Sequence, residues 1–362
     1  MKSLAALGNE LYSGKTSIPF IGKRRIWYGA AVAVIIVSFT LLGVMGLNPG
    51  IDFKGGSEVT VTGIQDPQVG PGNDVIAKGG YSANSSVTTM GTSSVRVQTE
   101  SLEKTKLDGL ASQLATAYGV TSAEVSATTI GPTWSSDVTN KAVRGLIIFF
   151  LLVGALIWAY FRTWKMAAAA LLALCHDVII TMGVYVVSGF EVTPATVIGV
   201  LTILGYSLYD TVVVFDKIRE NTANFQTQSR STYAELANLA VNQTFIRSIN
   251  TSVVGVLPVA SLLFMGAFIL GAGTLRDIAL TMFIGMVAGT LSSIFLATPL
   301  LVDLRSREKA IKEQAEKVAN ARTHRAADRD GDAEAIAVPA AAPVIPGRHL
   351  GVSAQPKRKK KR

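Results

Sequence analysis

Six stretches of mostly apolar residues recur along this chain, at 27–47, 143–161, 166–188, 192–215, 248–270 and 275–304. A helix of roughly 20 apolar residues is long enough to cross a bilayer. Inside lipid the backbone must satisfy its own hydrogen bonds, which restricts such segments to helices. Composition agrees: charged residues are 16% and hydrophobic residues 49% of the 362, against about 25% charged in a typical soluble domain. The fold class expected is a polytopic α-helical membrane protein with six transmembrane helices. The first stretch is long enough to span, and no small-residue cleavage motif follows it, so it reads as a membrane helix rather than a cleaved signal peptide. Cys175 is the single cysteine and lies inside an apolar run, so no disulfide within one chain is expected.

The formal net charge of +9 raises the question of nucleic acid. The basic residues instead gather at the termini and at membrane edges, as the positive-inside rule distributes them. Lys23, Arg24 and Arg25 precede the first span, and Arg162 and Lys165 separate the second from the third. Lys217, Arg219 and Arg230 follow the fourth, and Arg305 and Arg307 follow the sixth. All fall on one side, which places both termini of this multi-pass protein in the cytoplasm. Arg276 is the exception, and its neighbour Asp277 leaves that pair locally neutral. Trp27, Trp158 and Trp164 suit an interfacial belt, with Trp134 just ahead of the second span.

This reading divides the chain into a cytoplasmic N-terminus (1–26), helix one (27–47), an extracytoplasmic domain (48–140), helices two to six (141–304) with a cytoplasmic loop at 218–246, and a basic tail (305–362). The segment 48–140 is polar and more acidic than basic. "SEVTVTG", "SSVRVQT" and "AEVSATTIG" alternate as strands do, and "SLEKTKLDGLASQLATAYG" reads as an amphipathic helix with Gly119 as its C-cap. A small α+β domain follows, with a flexible insert expected around "QDPQVGPGND". In the loop, Thr232 and Glu235 have capping-box spacing, and Tyr233, Leu236 and Ala240 share the face of a short helix. The tail starts helical and charged, turns Ala/Pro-rich and ends "PKRKKKR", a composition that buries no core and is expected to be largely disordered.

Ionisable groups inside the spans mark function, because placing one at mid-helix costs about 2.5–3.5 kcal/mol on insertion scales. Asp210 interrupts the fourth span. Thr202, Tyr206 and Asp210 follow at i, i+4 and i+8, with Ser207 three residues before the carboxylate, a polar stripe suited to a proton or water path. The fifth span offers Thr244, Arg247, Ser248, Thr251 and Ser252 on one face, with Arg247 expected at a depth similar to Asp210. A guanidinium beside a carboxylate lowers its pKa and burial raises it, so a pair that meets and parts swings the affinity of Asp210 for protons. His176 and Asp177 sit near the middle of the third span, either as a second relay or as a hydrogen-bonded anchor. Gly285 and Gly289 form a GxxxG for close helix approach, and Pro258 is expected to kink the fifth helix.

Plainer readings stand beside these. Asp210 with Arg247 can be read instead as a static ion pair, "GIDFKGG" (50–56) as a turn before a strand, and the basic tail end as a solvated charge run or a contact for anionic lipid or ribosomal RNA. His324 and His349 lie in the tail, and the sequence holds no metal-ligand spacing, catalytic triad or P-loop. Neither enzymatic activity nor a cofactor nor specific nucleic-acid recognition is expected.

Taken together, "GIDFKGG" after the first span, "HDVIIT" in the third, "GYSLYDTVVVFDKIREN" in the fourth, "NQTFIRS" opening the fifth and "GTLSSIFLATP" in the sixth resemble the SecF family of the bacterial Sec export system, within the resistance–nodulation–division superfamily. The resemblance covers about 27–304, and its long basic tail suggests an actinobacterial relative. It implies a proton-driven subunit that acts with SecD and the SecYEG channel on a translocating polypeptide, with YajC-like or YidC-like subunits as further partners. It puts the family's proton-site carboxylate on Asp210 and its functional arginine on Arg247, and it marks Gly50, Asp52, Phe53, Gly55 and Gly56 as a family motif. The family usually carries Asn before the carboxylate, where this chain has Tyr209. Two other readings remain open: a non-conducting scaffold for SecD and the channel, and a half-unit of a proton-driven lipid or drug exporter. The second lacks, in this chain, the second large outer domain of the superfamily's exporters.

Overall fold

The computed structural model describes residues 4–81, 85–266 and 273–335. Six of its helical segments are long and apolar enough to cross a membrane. They are α2 (Arg24–Met45), α6 (Pro132–Phe161), α7 (Trp164–Ser188), α8 (Pro194–Asn221), α9 (Tyr233–Phe264) and a last segment. That last segment runs as α10 (Gly273–Ser292), a π-helical turn (Ser293–Ala297) and α11 (Thr298–Ser306). Helices α8 and α10 pack most extensively, and α7, α9 and α2 close around them.

The crossing of α8 with α10 depends on the absence of side chains. A Cβ on Gly285 would collide with Ile203, and one on Gly289 would lie 2.7 Å from the Ser207 Cβ. One step further out, Gly199 meets Thr281 in the same way, at 2.8 Å. Glycine on one helix thus faces a branched or polar side chain on the other, turn after turn, which brings the two backbones close together.

Between α2 and α6 stands an α+β domain. It comprises α3 (Ile51–Lys54), β2 (Gly56–Val61), α4 (Val69–Gly79), β3 (Ser86–Met90), β4 (Ser94–Thr99), α5 (Lys104–Tyr118) and β5 (Val125–Ile130). The strands are antiparallel in the order β3-β4-β2-β5. A β-α-β-β-α-β sequence with this order is the ferredoxin-like split βαβ arrangement. Strand alternation sends Val59, Val61, Val95 and Val97 to one face, where they pack on Leu107, Leu110 and Leu114 of α5. The opposite face carries Glu58, Arg96 and Gln98. Short parallel strands β1 (Asn48–Pro49) and β6 (Glu191–Val192) tie the entry of the domain to the connection between α7 and α8.

Several boundaries differ from the sequence-based expectation. The insert around 65–74 is not a loop throughout, because α4 begins at Val69. Pro71 falls in its first turn, where a missing N–H costs nothing, and Gly72 is buried with Val87 and Tyr118 within 2.9 Å of where its Cβ would stand. Residues 132–140 are not part of the domain but the first turns of α6. The loop helix is not separate: Thr232 caps α9 itself, with both capping-box bonds to Glu235, and α9 runs unbroken into the fifth span with Pro258 inside it. Residues 267–270 of that expected span lie outside the described residues.

At the end of the bundle away from the α+β domain, the chain builds a second packed layer. Helix α1 (Leu4–Tyr12) lies against the first turns of α9. Asn242 accepts a hydrogen bond from the Ile18 N–H at 2.8 Å, and Asn238, one turn earlier, accepts from the Ile21 N–H at 3.1 Å. The tail is helical from Lys309 to Ala335 (α12), further than composition suggested. Its thin apolar stripe, Ile311 and Val318, is buried, and Arg322 pairs with Glu235 at 2.7 Å. Residues 336–362, including His349 and the terminal basic run, lie outside the described residues.

Candidate functional site

Asp210 is buried in the bundle. One carboxylate oxygen accepts the Ser248 hydroxyl of α9 at 2.6 Å, and the other accepts the hydroxyl of Ser293, the first residue of the π turn. A π turn inserts one extra residue into a helix, and such turns recur at functional sites. Here it presents Ser293 to the carboxylate in the layer below the Ser207–Gly289 contact.

Asp177 of α7 is another buried carboxylate. It accepts the Ser207 hydroxyl at 2.6 Å and lies 3.4 Å from Nδ1 of its neighbour His176, also buried. His176 reaches the floor of an apolar groove of about 570 Å³ between α2, α7 and α10, which Trp27 and Phe295 border. Ser207 and Asp210 are three residues apart on α8, a rise of about 4.5 Å. The two acids therefore occupy adjacent layers, one on each flank of α8.

The expected contact between Asp210 and Arg247 is not made. Arg247 is exposed, and its guanidinium donates to the Tyr209 hydroxyl at 3.4 Å. The reason is helical geometry: adjacent residues point about 100° apart, so if Ser248 faces the carboxylate, Arg247 cannot. The face read from sequence splits into an inner row, Thr244, Ser248 and Ser252, and an outer row, Arg247 and Thr251. Ser252 shares a hydrogen bond with Thr290 at 2.5 Å, and Thr251 bonds to the Arg247 carbonyl.

The stripe on α8 splits in the same way. Ser207 and Asp210 point inward. Thr202 is exposed and bonds to its own Ile198 carbonyl, and Tyr206 donates to the Thr251 carbonyl at 2.9 Å. Tyr209, where the family usually has Asn, belongs to the outer row and serves Arg247 rather than Asp210.

The "GIDFKGG" stretch forms the joint between bundle and domain. Gly50 donates its N–H to the Val192 carbonyl at 2.9 Å, and Ile51–Lys54 make one helical turn in which the Phe53 N–H returns to Gly50. Gly55 then adopts φ +77°, and Gly56 φ +143° with the site of its missing Cβ only 2.6 Å from the Thr99 carbonyl oxygen. Only glycine accepts both conditions. Burial, reinforced by the nearby charge of Glu58, pushes the Asp52 carboxyl above the ordinary carboxylate range.

One cluster was not foreseen. Glu191 is buried, pairs with Arg96 of β4 at 3.3 Å and accepts from Gln98 at 3.0 Å. Two residues on, Thr193 donates to Asp277 at 3.1 Å, and Asp277 also holds Arg276 at 3.2 Å. Polar residues on one side of a strand, alternating with the valines, were the available signal.

Fold and site together define a polytopic membrane protein in which two buried carboxylates lie beneath a ferredoxin-like domain docked on the bundle. Residues 111–307 match the family described as protein export membrane protein SecD/SecF, C-terminal, and residues 40–62 match the SecD/SecF GG motif. SecF of Streptomyces coelicolor is 41% identical over 97% of this chain and 98% of its own length. SecDF of Thermus thermophilus is 32% identical over 80% of this chain, which spans 39% of it. The crystal structure of SecDF from Thermus thermophilus, a translocon-associated membrane protein, superposes with a TM-score of 0.72 at 30% identity, covering 81% of this chain and 39% of that one. The chain belongs to the SecD/SecF family of protein export membrane proteins and, within it, to the SecF subunits of the protein translocase.

Proposed function

We propose that the chain pairs with SecD in the bacterial cytoplasmic membrane and couples inward proton movement to export of polypeptides through the SecYEG channel. Asp210 is the titrating group in this reading. The observation that carries it is that Asp210 is buried and held by hydroxyls rather than by a cation. Serine hydroxyls donate to a carboxylate and accept from a carboxylic acid, so the site accommodates both protonation states, whereas a locked ion pair favours one.

The basic residues at the α1, α9 and α12 end support placing that end and both termini in the cytoplasm. The α+β domain then faces outward, where a translocating polypeptide emerges. Tyr209 and Arg247 form a polar, exposed row on an otherwise apolar surface of α8 and α9. Arg247 also borders a polar cavity at the ends of α6, α8 and α9, which supports a hydrated setting for its guanidinium at the edge of that surface.

Export into inverted membrane vesicles that carry the chain with SecD tests the reading. Asp210→Asn abolishes the part of export that depends on the proton motive force while complex levels stay unchanged. Loss of the complex in that variant, or unchanged export, supports a scaffold instead.

A further inference from the structure

A second polar feature lies on the cytoplasmic side of Asp210. A cavity of about 520 Å³ opens between the ends of α6, α8 and α9, lined by Tyr160, Asp216, Lys217, Glu220, Thr244 and Arg247 among others. At about 30 Å³ per water molecule, that volume holds a cluster of solvent. Asp216 is exposed in it, and the Tyr160 hydroxyl donates to its carboxylate at 3.3 Å. Lys217 is paired with Glu220 at 2.7 Å and lies 6.0 Å from the Tyr12 ring centre. These two neighbouring charges therefore offset each other, leaving Asp216 and Arg247 as the cavity's other charged groups.

Thr244 joins this vestibule to the buried site. It is itself buried, it lines the cavity, and it stands one turn before Ser248 on the inner row of α9. One turn of helix, about 5.4 Å, separates it from the hydroxyl that bonds Asp210. Its own hydroxyl donates back to the Ala240 carbonyl at 3.0 Å, which leaves its oxygen lone pairs available as acceptors.

We infer that this vestibule is the cytoplasmic exit for the proton released by Asp210, with Thr244 as the step between and Asp216 as the terminal acceptor. The inference rests on the proton-coupled reading above. The O–H bond of protonated Asp210 breaks, and a proton passes to the Ser248 hydroxyl, across one water in the turn between, and to the Thr244 hydroxyl, each accepting one and giving up its own, and then to vestibule water and the Asp216 carboxylate. Asp210 is left ionised and Asp216 neutral, and Asp216 then returns the proton to bulk water. One negative charge has moved along α8 from Asp216 to Asp210, and once the proton reaches bulk water the protein is one unit more negative than with Asp210 protonated, until Asp210 takes up the next proton.

The test uses the complex with SecD in proteoliposomes, with proton flux followed by a pH-sensitive dye. Asp216→Asn slows flux roughly tenfold, a partial loss because vestibule water still accepts protons. Asp216→Glu restores the flux, and Thr244→Val slows it comparably. In a Cys175→Ser background, Thr244→Cys reacts with a membrane-impermeant thiol reagent added on the cytoplasmic side and not on the other. If Asp210→Asn stops flux while Asp216→Asn and Thr244→Val conduct as wild type, the exit assignment is overturned and the motor reading survives. If Asp210→Asn itself conducts normally, both fall.

Discussion

The Ser248 hydroxyl lies 2.6 Å from Asp210, while the next residue, Arg247, turns away to Tyr209. A serine, not the arginine beside it, satisfies the buried carboxylate. Hydrogen bonds to charged groups contribute about 1.5–3 kcal/mol. Ser248→Ala is expected to lower bundle stability by that order, and Ser293→Ala likewise, each measured by denaturation in detergent. Because the two serines share one acceptor, the double variant should depart from additivity; strict additivity would contradict the shared site.

The close contact of α8 and α10 leaves no space for a methyl group. Gly289→Ala would push its Cβ against Ser207, which holds Asp177. Overpacking of this kind costs about 1–3 kcal/mol. The expected result is a lower melting temperature together with reduced export; an unchanged melting temperature would show that the helices separate freely.

Arg96 and Glu191 clasp the α+β domain to the bundle. Arg96 also pairs with Glu58 at 3.3 Å, so losing the Glu191 charge weakens the clasp by the order of one charged hydrogen bond, about 1.5–3 kcal/mol. Glu191→Gln should raise amide exchange in β4 and in the 48–56 joint while leaving α5 protected. Uniform exchange across the domain would indicate unfolding rather than release.

Helix α12 is held in part by Glu308. Burial opposes its ionisation, but hydrogen bonds from Arg305 and Lys165, with their positive charge, outweigh it and hold the carboxyl below its ordinary value of 4.5. Its stabilising contribution is therefore present above that value and lost as pH falls through the lowered one. Amide exchange in 309–325 should rise in that acid window, and Glu308→Gln should remove the pH response. An identical acid response in the variant would assign the effect to another group.

The six spans were legible because lipid imposes a length and an apolarity that few other environments demand. Asp210, His176 and Asp177 stood out for the same reason, as groups whose burial is costly. The partner of Asp210 was not legible. Ser248 and Arg247 are adjacent, and a face drawn wide enough to include both spans about 100° of helix, so only packing decides which points inward. Ser293 was hidden because a π turn carries no periodic signature. The helical start of the tail was legible, but the docking of α12 was not, because Ile311 and Val318 make a stripe too thin to stand out among alanines and lysines, and its partner surface includes residues as far as 87 positions away, such as Glu235 for Arg322.

The parallel pairing of Asn48–Pro49 with Glu191–Val192 has a mechanical consequence. The α+β domain is tethered at that seam and at Gly131, where β5 passes directly into α6. The line joining these two ties is the natural axis for a rigid swing of the domain, and the packing of α3 on α6 and the Arg96–Glu191 pair are contacts that such a swing has to loosen. Tilting α8 or α6 moves one end of that axle, so a small displacement in the membrane is levered into a larger arc at the domain's far edge.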